Sequence, residues 1–175
     1  MDALVRQAMA KWPDVPDCYG WMGLDMRGQW YMRDDRVQAL GPFPQHKGSL
    51  LRHDKLIGFI HRNYESDARG CWYFQNGPQR VFVELELTPL VWRLYPDGAV
   101  RAHTGAPGQV RQVYLDELGR LYLACDAGFG LIHSADMTLA ADFVDSGRWA
   151  PIAIEAALLP GRFGYELNPS AKRTG

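Results

Sequence analysis

The nineteen residues "RNYESDARGCWYFQNGPQR" hold the densest set of side chains in the chain able to grip a ligand: Arg62, Asn63, Tyr64, Trp72, Gln75, Asn76, Gln79 and Arg80. Arginine presents a planar fork of N–H donors to carboxylate or phosphate. Asn and Gln both donate and accept, and Trp supplies a flat apolar wall. Such a set would recognise a small anionic ligand or a protein partner more readily than it breaks bonds, although Asn76 serving the turn and Gln79 and Arg80 as solvated strand ends is the plainer reading. Loops held by a hairpin are common places for binding groups. Arg52, His53 and Asp54 form a second set, at the start of a predicted helix, where backbone N–H groups attract anions and an adjacent Arg adds to the pull, although a cap plus two exposed charges is the plainer reading.

Catalytic signals are sparse. His53, Asp54 and His61 are the general-base candidates, but no Ser or Cys nucleophile stands in a recognisable motif beside them. Cys71, between Gly70 and Trp72 on a predicted strand, reads as a buried structural thiol. Glu84 and Glu86 share one face of a predicted strand, as a carboxylate pair would, and two solvated residues is the plainer reading. Arg162 and Tyr165 lie near the tail, where only the fold can say what they reach. Walker, dinucleotide and G-x-S-x-G patterns are absent. The five histidines are scattered, and the three cysteines (Cys18, Cys71, Cys125) are widely spaced without a CxxC pair. Neither a metal site nor a disulfide framework is expected, and no cofactor is implied.

The composition sets further bounds. A net charge of −1 gives no field to draw nucleic acid or an anionic membrane. Apolar stretches are too short to span a bilayer, and the N-terminus lacks a signal-peptide core, so a cytoplasmic protein with reduced thiols is expected. Arg outnumbers Lys 15 to 4. That excess fits either anion binding or a base-composition bias, and the bias is the plainer explanation.

These residues need elements to hold them. Residues 3–12 read as an amphipathic helix, with Leu4, Val5, Ala8, Met9 and Trp12 on one side and Asp2 as N-cap. "GWMGLDM" and "QWYMR" read as two strands, and residues 34–49, with two Gly and two Pro, as a loop. "HDKLIGFIHRNY" is the clearest helix, with an apolar stripe of Leu56, Ile57, Phe59, Ile60 and Tyr64, and Asp54 is its better cap. From residue 70 the period becomes two. In "RVFVELEL", Val81, Val83, Leu85 and Leu87 lie on one face and Phe82, Glu84 and Glu86 on the other, which predicts one buried face in an antiparallel sheet. Asn76-Gly77 marks a hairpin, complicated by Pro78. Residues 135–144 read as a helix capped by Ser134. The tail reads as two strands turning at Pro160-Gly161, with a short helix over 153–159 as the rival, and Asn168 onward as frayed.

"DMRGQWYM" (25–32) returns 42 residues later as "DARGCWYF" and, more loosely, 49 residues after that as "DELGRLYL". The shared Asp-x-x-Gly skeleton matches a hairpin loop in which Asp opens a type I turn and Gly takes the left-handed position. Alternation along a strand puts at most one residue of each Trp-Tyr pair on a given surface, so the repeat reads as turn and core rather than a ligand platform.

The fold class expected is α+β: antiparallel hairpins and meander, about nine strands, two or three short helices, and two small intimately packed lobes. An N-terminal α+β lobe would cover 1–88 and a β-rich C-terminal lobe with one helix 89–175. The stretches "WPDVPDCYGWMGLDMRGQWYMRD", "LIGFIHRNYESDARGCWYFQNGPQRVFVELELTP" and "LPGRFGYELNP" resemble a bacterial family of unknown function, of about this length. The order of "GSLLRHDKLIGFI", "DARGCWYF" and "ELTP" is also similar to a second bacterial family of unknown function, built from two α+β lobes and suspected of ligand sensing. Neither resemblance implies a reaction. The favoured function is therefore a non-catalytic ligand-binding or regulatory module. The alternative is a hydrolase or transferase with dispersed residues, and a third reading is a homodimer formed through a sheet edge.

Overall fold

Residues 1–172 are described by a computed structural model. They form an α+β architecture with two six-stranded mixed sheets and five short α-helices. The chain divides into two units. One comprises Met1–Asp25, Gln29–Glu86 and the chain from Tyr165 on; the other comprises Met26–Gly28 and Leu87–Gly164.

The first unit contains α1 (Ala3–Lys11), β1 (Cys18–Leu24), β2 (Trp30–Met32), α2 (Asp35–Leu40), β3 (Ser49–Leu50), α3 (Asp54–Arg62), β4 (Tyr64–Ser66), β5 (Trp72–Asn76) and β6 (Gln79–Leu85). Its sheet order is β3-β2-β1-β6-β5-β4. Two antiparallel meanders, β1-β2-β3 and β4-β5-β6, meet at a parallel seam between β1 and β6, with Met22 opposite Val83 and Leu24 opposite Leu85. Antiparallel hairpins and a meander were expected and are present; the parallel β1/β6 seam joins them into one mixed sheet. Because β6 is central, Phe82 and Glu84 are as buried as Val81, Val83 and Leu85. The expected single buried face of this strand is therefore overturned. Glu84 keeps a partner in the interior: Ser170 donates Oγ–H to its Oε1 at 2.7 Å. Burial pushes the Glu84 carboxyl up, against Ser170 and Arg33, which pull it down.

Several local expectations change for identifiable reasons. Residues 35–40 are helical rather than loop, because Asp34 caps α2 by accepting from the Val37 N–H at 2.9 Å. His53, not Asp54, caps α3, its Nδ1 accepting from the Leu56 N–H at 3.2 Å. Leu4 of α1 and Trp12, the residue that ends it, stay exposed, and only Val5 of that helix is buried. The β5–β6 turn is centred on Gly77-Pro78 rather than Asn76-Gly77: Asn76 pairs with Gln79, and Gly77 takes φ 58°. Residues 169–172 form a 3-10 turn, with Pro169 buried and Ser170 tied to Glu84, so the frayed end expected from Asn168 does not begin there. Its remaining part, 173–175, lies outside the described residues.

The second unit contains β7 (Leu90–Leu94), β8 (Val100–Ala102), β9 (Val110–Leu115), β10 (Leu121–Cys125), β11 (Gly128–Ile132), α4 (Met137–Asp145), β12 (Ile152–Ala153) and α5 (Leu159–Phe163). The sheet order is β12-β9-β10-β11-β7-β8, with β11/β7 and β12/β9 parallel. Trp92, Tyr122 and Leu123 are fully buried in it. A 3-10 turn over Ser134–Asp136 leads into α4, and His133 rather than Ser134 caps that turn. Arg93 grips Asp136 with two hydrogen bonds, 2.6 and 3.0 Å long, holding the turn on β7. The tail is not a hairpin. Pro160 sits in the first turn of α5, where its missing N–H costs nothing, and Gly164 ends the helix in the left-handed conformation. Phe163 then stacks on Phe129 at 3.6 Å between centroids.

The repeated octapeptides prove to be one loop. At Asp25, Asp67 and Asp116 the N–H donates to the carbonyl four residues on, and Oδ1 accepts from the N–H four residues on. Gly28, Gly70 and Gly119 take φ 74°, 78° and 75°. Only glycine enters that region without steric cost, which is why the skeleton repeats.

Candidate functional site

The stretch 62–80 does not converge on one surface. β5 and β6 pair antiparallel, with Tyr73 opposite Phe82 and Gln75 opposite Arg80. Residues directly opposite share a face. Tyr73, Gln75, Arg80 and Phe82 therefore line one side of the sheet, and Trp72 and Phe74 the other. Arg62 is exposed and reaches Asp2 at 3.4 Å. Asn63 is buried, its Oδ1 accepting from the Asp2 N–H and its Nδ2 donating to Phe59 O, so it serves α1 and α3. Tyr64, partly buried, packs between Trp30 (5.2 Å) and Trp72 (4.7 Å). Asn76 is exposed at the turn, and Gln79 donates to Pro16 O. Arg80, and Gln75 although it is buried, remain as side chains that border a cavity or recess.

Arg80 lines a cavity of about 580 Å³ with Asp17, Tyr19, Asp67 and Arg69. Tyr19 stacks flat on Phe82 at 4.6 Å and 4°. Both guanidinium carbons lie 5.7 Å from the Phe82 ring centroid, within cation–π range. Arg69 is fully engaged: Nε donates to Asp67 Oδ2 at 2.9 Å and Nη1 to Lys172 O at 3.2 Å. Its charge is reinforced by Tyr19 and then Asp67. Burial alone would raise the Asp67 carboxyl; Arg69 and the N–H groups of Cys71 and Arg69 outweigh it and hold the acid below its ordinary value. Arg80 is less committed. It gives Nε to Asp17 Oδ1 at 3.0 Å, leaving both terminal nitrogens without a hydrogen bond among the described residues.

On the other side of the Asp17–Arg80 pair lies a recess of about 270 Å³, bounded by Trp12, Tyr73, Gln75 and Pro78. Gln75 is 1% exposed and donates Nε2–H to Gly77 O at 3.0 Å, which fixes the orientation of its amide. Its Oε1 accepts no hydrogen bond among the described residues. A buried acceptor left bare is costly and needs an explanation.

Arg52 and His53 border a separate groove of about 530 Å³ with Trp21, Met32 and Leu50. His53 spends Nδ1 on its cap, and Asp54 is exposed in the first turn of α3. His61 is turned away, accepting the Trp30 Nε1–H at 3.0 Å, and burial lowers its pKa. The three general-base candidates thus make no common site. Burial raises the Cys71 thiol and pushes Cys125 up to about 12, which leaves neither a ready nucleophile. Glu84 and Glu86 take separate partners, Ser170 and Lys47. Among the described residues no group of His, Cys, Asp and Glu is placed to hold a metal, and no helix is long and apolar enough to cross a membrane.

Sequence reasoning missed Asp17, Tyr19, Asp67 and Arg69 as site residues. Asp67 and Arg69 sat inside the repeat read as turn chemistry. Asp17 and Tyr19 come from β1 and the residue before it, and only the β1/β6 seam brings them to Arg80.

A family model described as "Protein of unknown function (DUF2946)" matches residues 1–170. No curated protein matches the chain. The crystal structure of a DUF1285 family protein from Silicibacter pomeroyi DSS-3 is similar, with a TM-score of 0.50 at 13% identity, over 82% of this chain and 85% of that one. A DUF1285 family protein from Shewanella baltica OS155 aligns with a TM-score of 0.48 at 15% identity, over 70% of this chain and 91% of that one. The first likeness concerns the fold alone.

Proposed function

The chain belongs to that family of unknown function, and we propose that it is a non-catalytic, cytoplasmic module that binds a small anionic ligand at the cavity of Arg69 and Arg80. One observation carries the reading: two guanidinium groups line the same cavity of about 580 Å³, and Arg80 has both terminal nitrogens unspent among the described residues. Arg69, held by Asp67 and Lys172 O, is a fixed wall of positive charge. Arg80 is the adaptable contact. A carboxylate or phosphate can take its two terminal nitrogens while Asp17 keeps Nε, so the ligand need not break the ion pair. The three free cysteines accord with a reducing compartment.

A ligand that binds only the native state raises its stability. Thermal unfolding in phosphate, sulfate and citrate, against chloride at matched ionic strength, tests the proposal. A rise that saturates with phosphate or citrate supports it. Equal melting in every salt contradicts it.

A further inference from the structure

The bare acceptor of Gln75 lies on the far side of Asp17 and Arg80 from the anion cavity. Both of those residues line both spaces. Gln75 and Arg80 are register partners on β5 and β6, so their side chains leave the sheet side by side. The recess around Gln75 has flat apolar walls, the indole of Trp12, the ring of Tyr73 and the ring of Pro78. Trp12 is 52% exposed, an indole held at the surface beside Tyr73 and Pro78. Flat walls and one buried acceptor select a planar group that carries an N–H donor.

We infer that the ligand is bipartite, a planar N–H-donating ring joined to an anionic arm, with the ring in the Trp12–Tyr73–Gln75 recess and the arm on Arg80. The inference rests on the anion site proposed above and adds the ligand's second half. Two kinds of molecule share this chemistry. In a nucleoside monophosphate the arm is phosphate and the donor is a base N–H; in an indole or amide acid the arm is carboxylate. An N–H from either satisfies Gln75 Oε1, which otherwise stays desolvated and unpaired.

Calorimetric titration of the full chain tests this with guanosine and uridine 5′-monophosphates, indole-3-acetate, and the bare anions phosphate and acetate. At least one bipartite compound is expected to bind tenfold or more tightly than its bare anion, and the better arm identifies the anion class. Gln75→Leu should erase that advantage while leaving the bare anion's affinity unchanged. Because Gln75 also ties the hairpin to Gly77 O, Trp12→Ala is the second variant; its exposed side chain is removed without opening the core. Bipartite compounds that bind no better than bare anions, or that bind both variants as well as wild type, overturn the inference and leave the anion site standing. Affinity lost in Gln75→Leu but kept in Arg80→Ala overturns the anion site and with it the bipartite reading.

Discussion

Trp30 donates its indole N–H to His61 Nε2 across 3.0 Å, joining β2 to α3 beneath the Tyr64 ring. Only neutral imidazole can accept this bond, and burial lowers the His61 pKa below 6.5. The unfolded chain therefore takes up a proton on His61 at a higher pH than the native chain does. Stability contributed here is present above 6.5 and is lost as pH falls toward the lower native pKa. Urea unfolding between pH 8 and 5, followed by Trp fluorescence, should show this loss. His61→Gln, which can still accept from the indole, should flatten it. An equally steep pH dependence in the variant would show that His61 is not the titrating group.

Asp116 carries more bonds than a turn needs. Besides the Leu118 and Arg120 N–H groups, it accepts the Tyr122 hydroxyl at 2.7 Å and Arg120 Nε at 2.7 Å. Tyr122 is 0% exposed, so Asp116→Ala removes the carboxylate partner of a buried hydroxyl along with the turn. A loss of about 2–4 kcal/mol is expected by chemical denaturation. Asp116→Asn, which keeps an acceptor for the turn, should lose less. A loss in Asp116→Ala below about 1 kcal/mol would mean the network adds little.

The three Asp-x-x-Gly loops were legible because each turn is local, set by one carboxylate and one glycine a few residues apart. α3 and most strands were legible for the same reason: their apolar periods are written into consecutive residues. The parallel seams were not. Cys18 and Met22 pair with Val81 and Val83 some sixty residues on, and no local pattern encodes that partnership. The site followed the seams. Arg80 and Gln75 were named from their chemistry, but Asp17 and Tyr19 join them only through β1/β6. Tyr64 and Asn63 looked like binding groups by type, yet packing made one a ring wedged between two indoles and the other a strut for α1.

Gly119 and Gly130 separate two reasons for glycine. Gly119 has φ 75° with open space around it, so Gly119→Ala should cost only the left-handed penalty, about 1–2 kcal/mol. Gly130 lies on β11, and a Cβ there would run into the Leu90 carbonyl of β7 and approach the Trp92 indole to 2.8 Å. Backbone cannot yield as a side-chain tip can. Gly130→Ala should therefore cost more, about 3 kcal/mol or above. Equal losses in the two variants, measured by urea unfolding, would contradict the close β7/β11 packing.

The central claim is that Arg80 receives an anion. Calorimetric titration of inorganic phosphate into the wild-type chain and Arg80→Gln at constant ionic strength tests it most directly. A saturable one-to-one heat in the wild type, with affinity at least about tenfold lower in Arg80→Gln, corresponds to about 1.4 kcal/mol of lost binding and is the result expected. Phosphate binding that is equal in the two proteins, or absent from both, would contradict the claim.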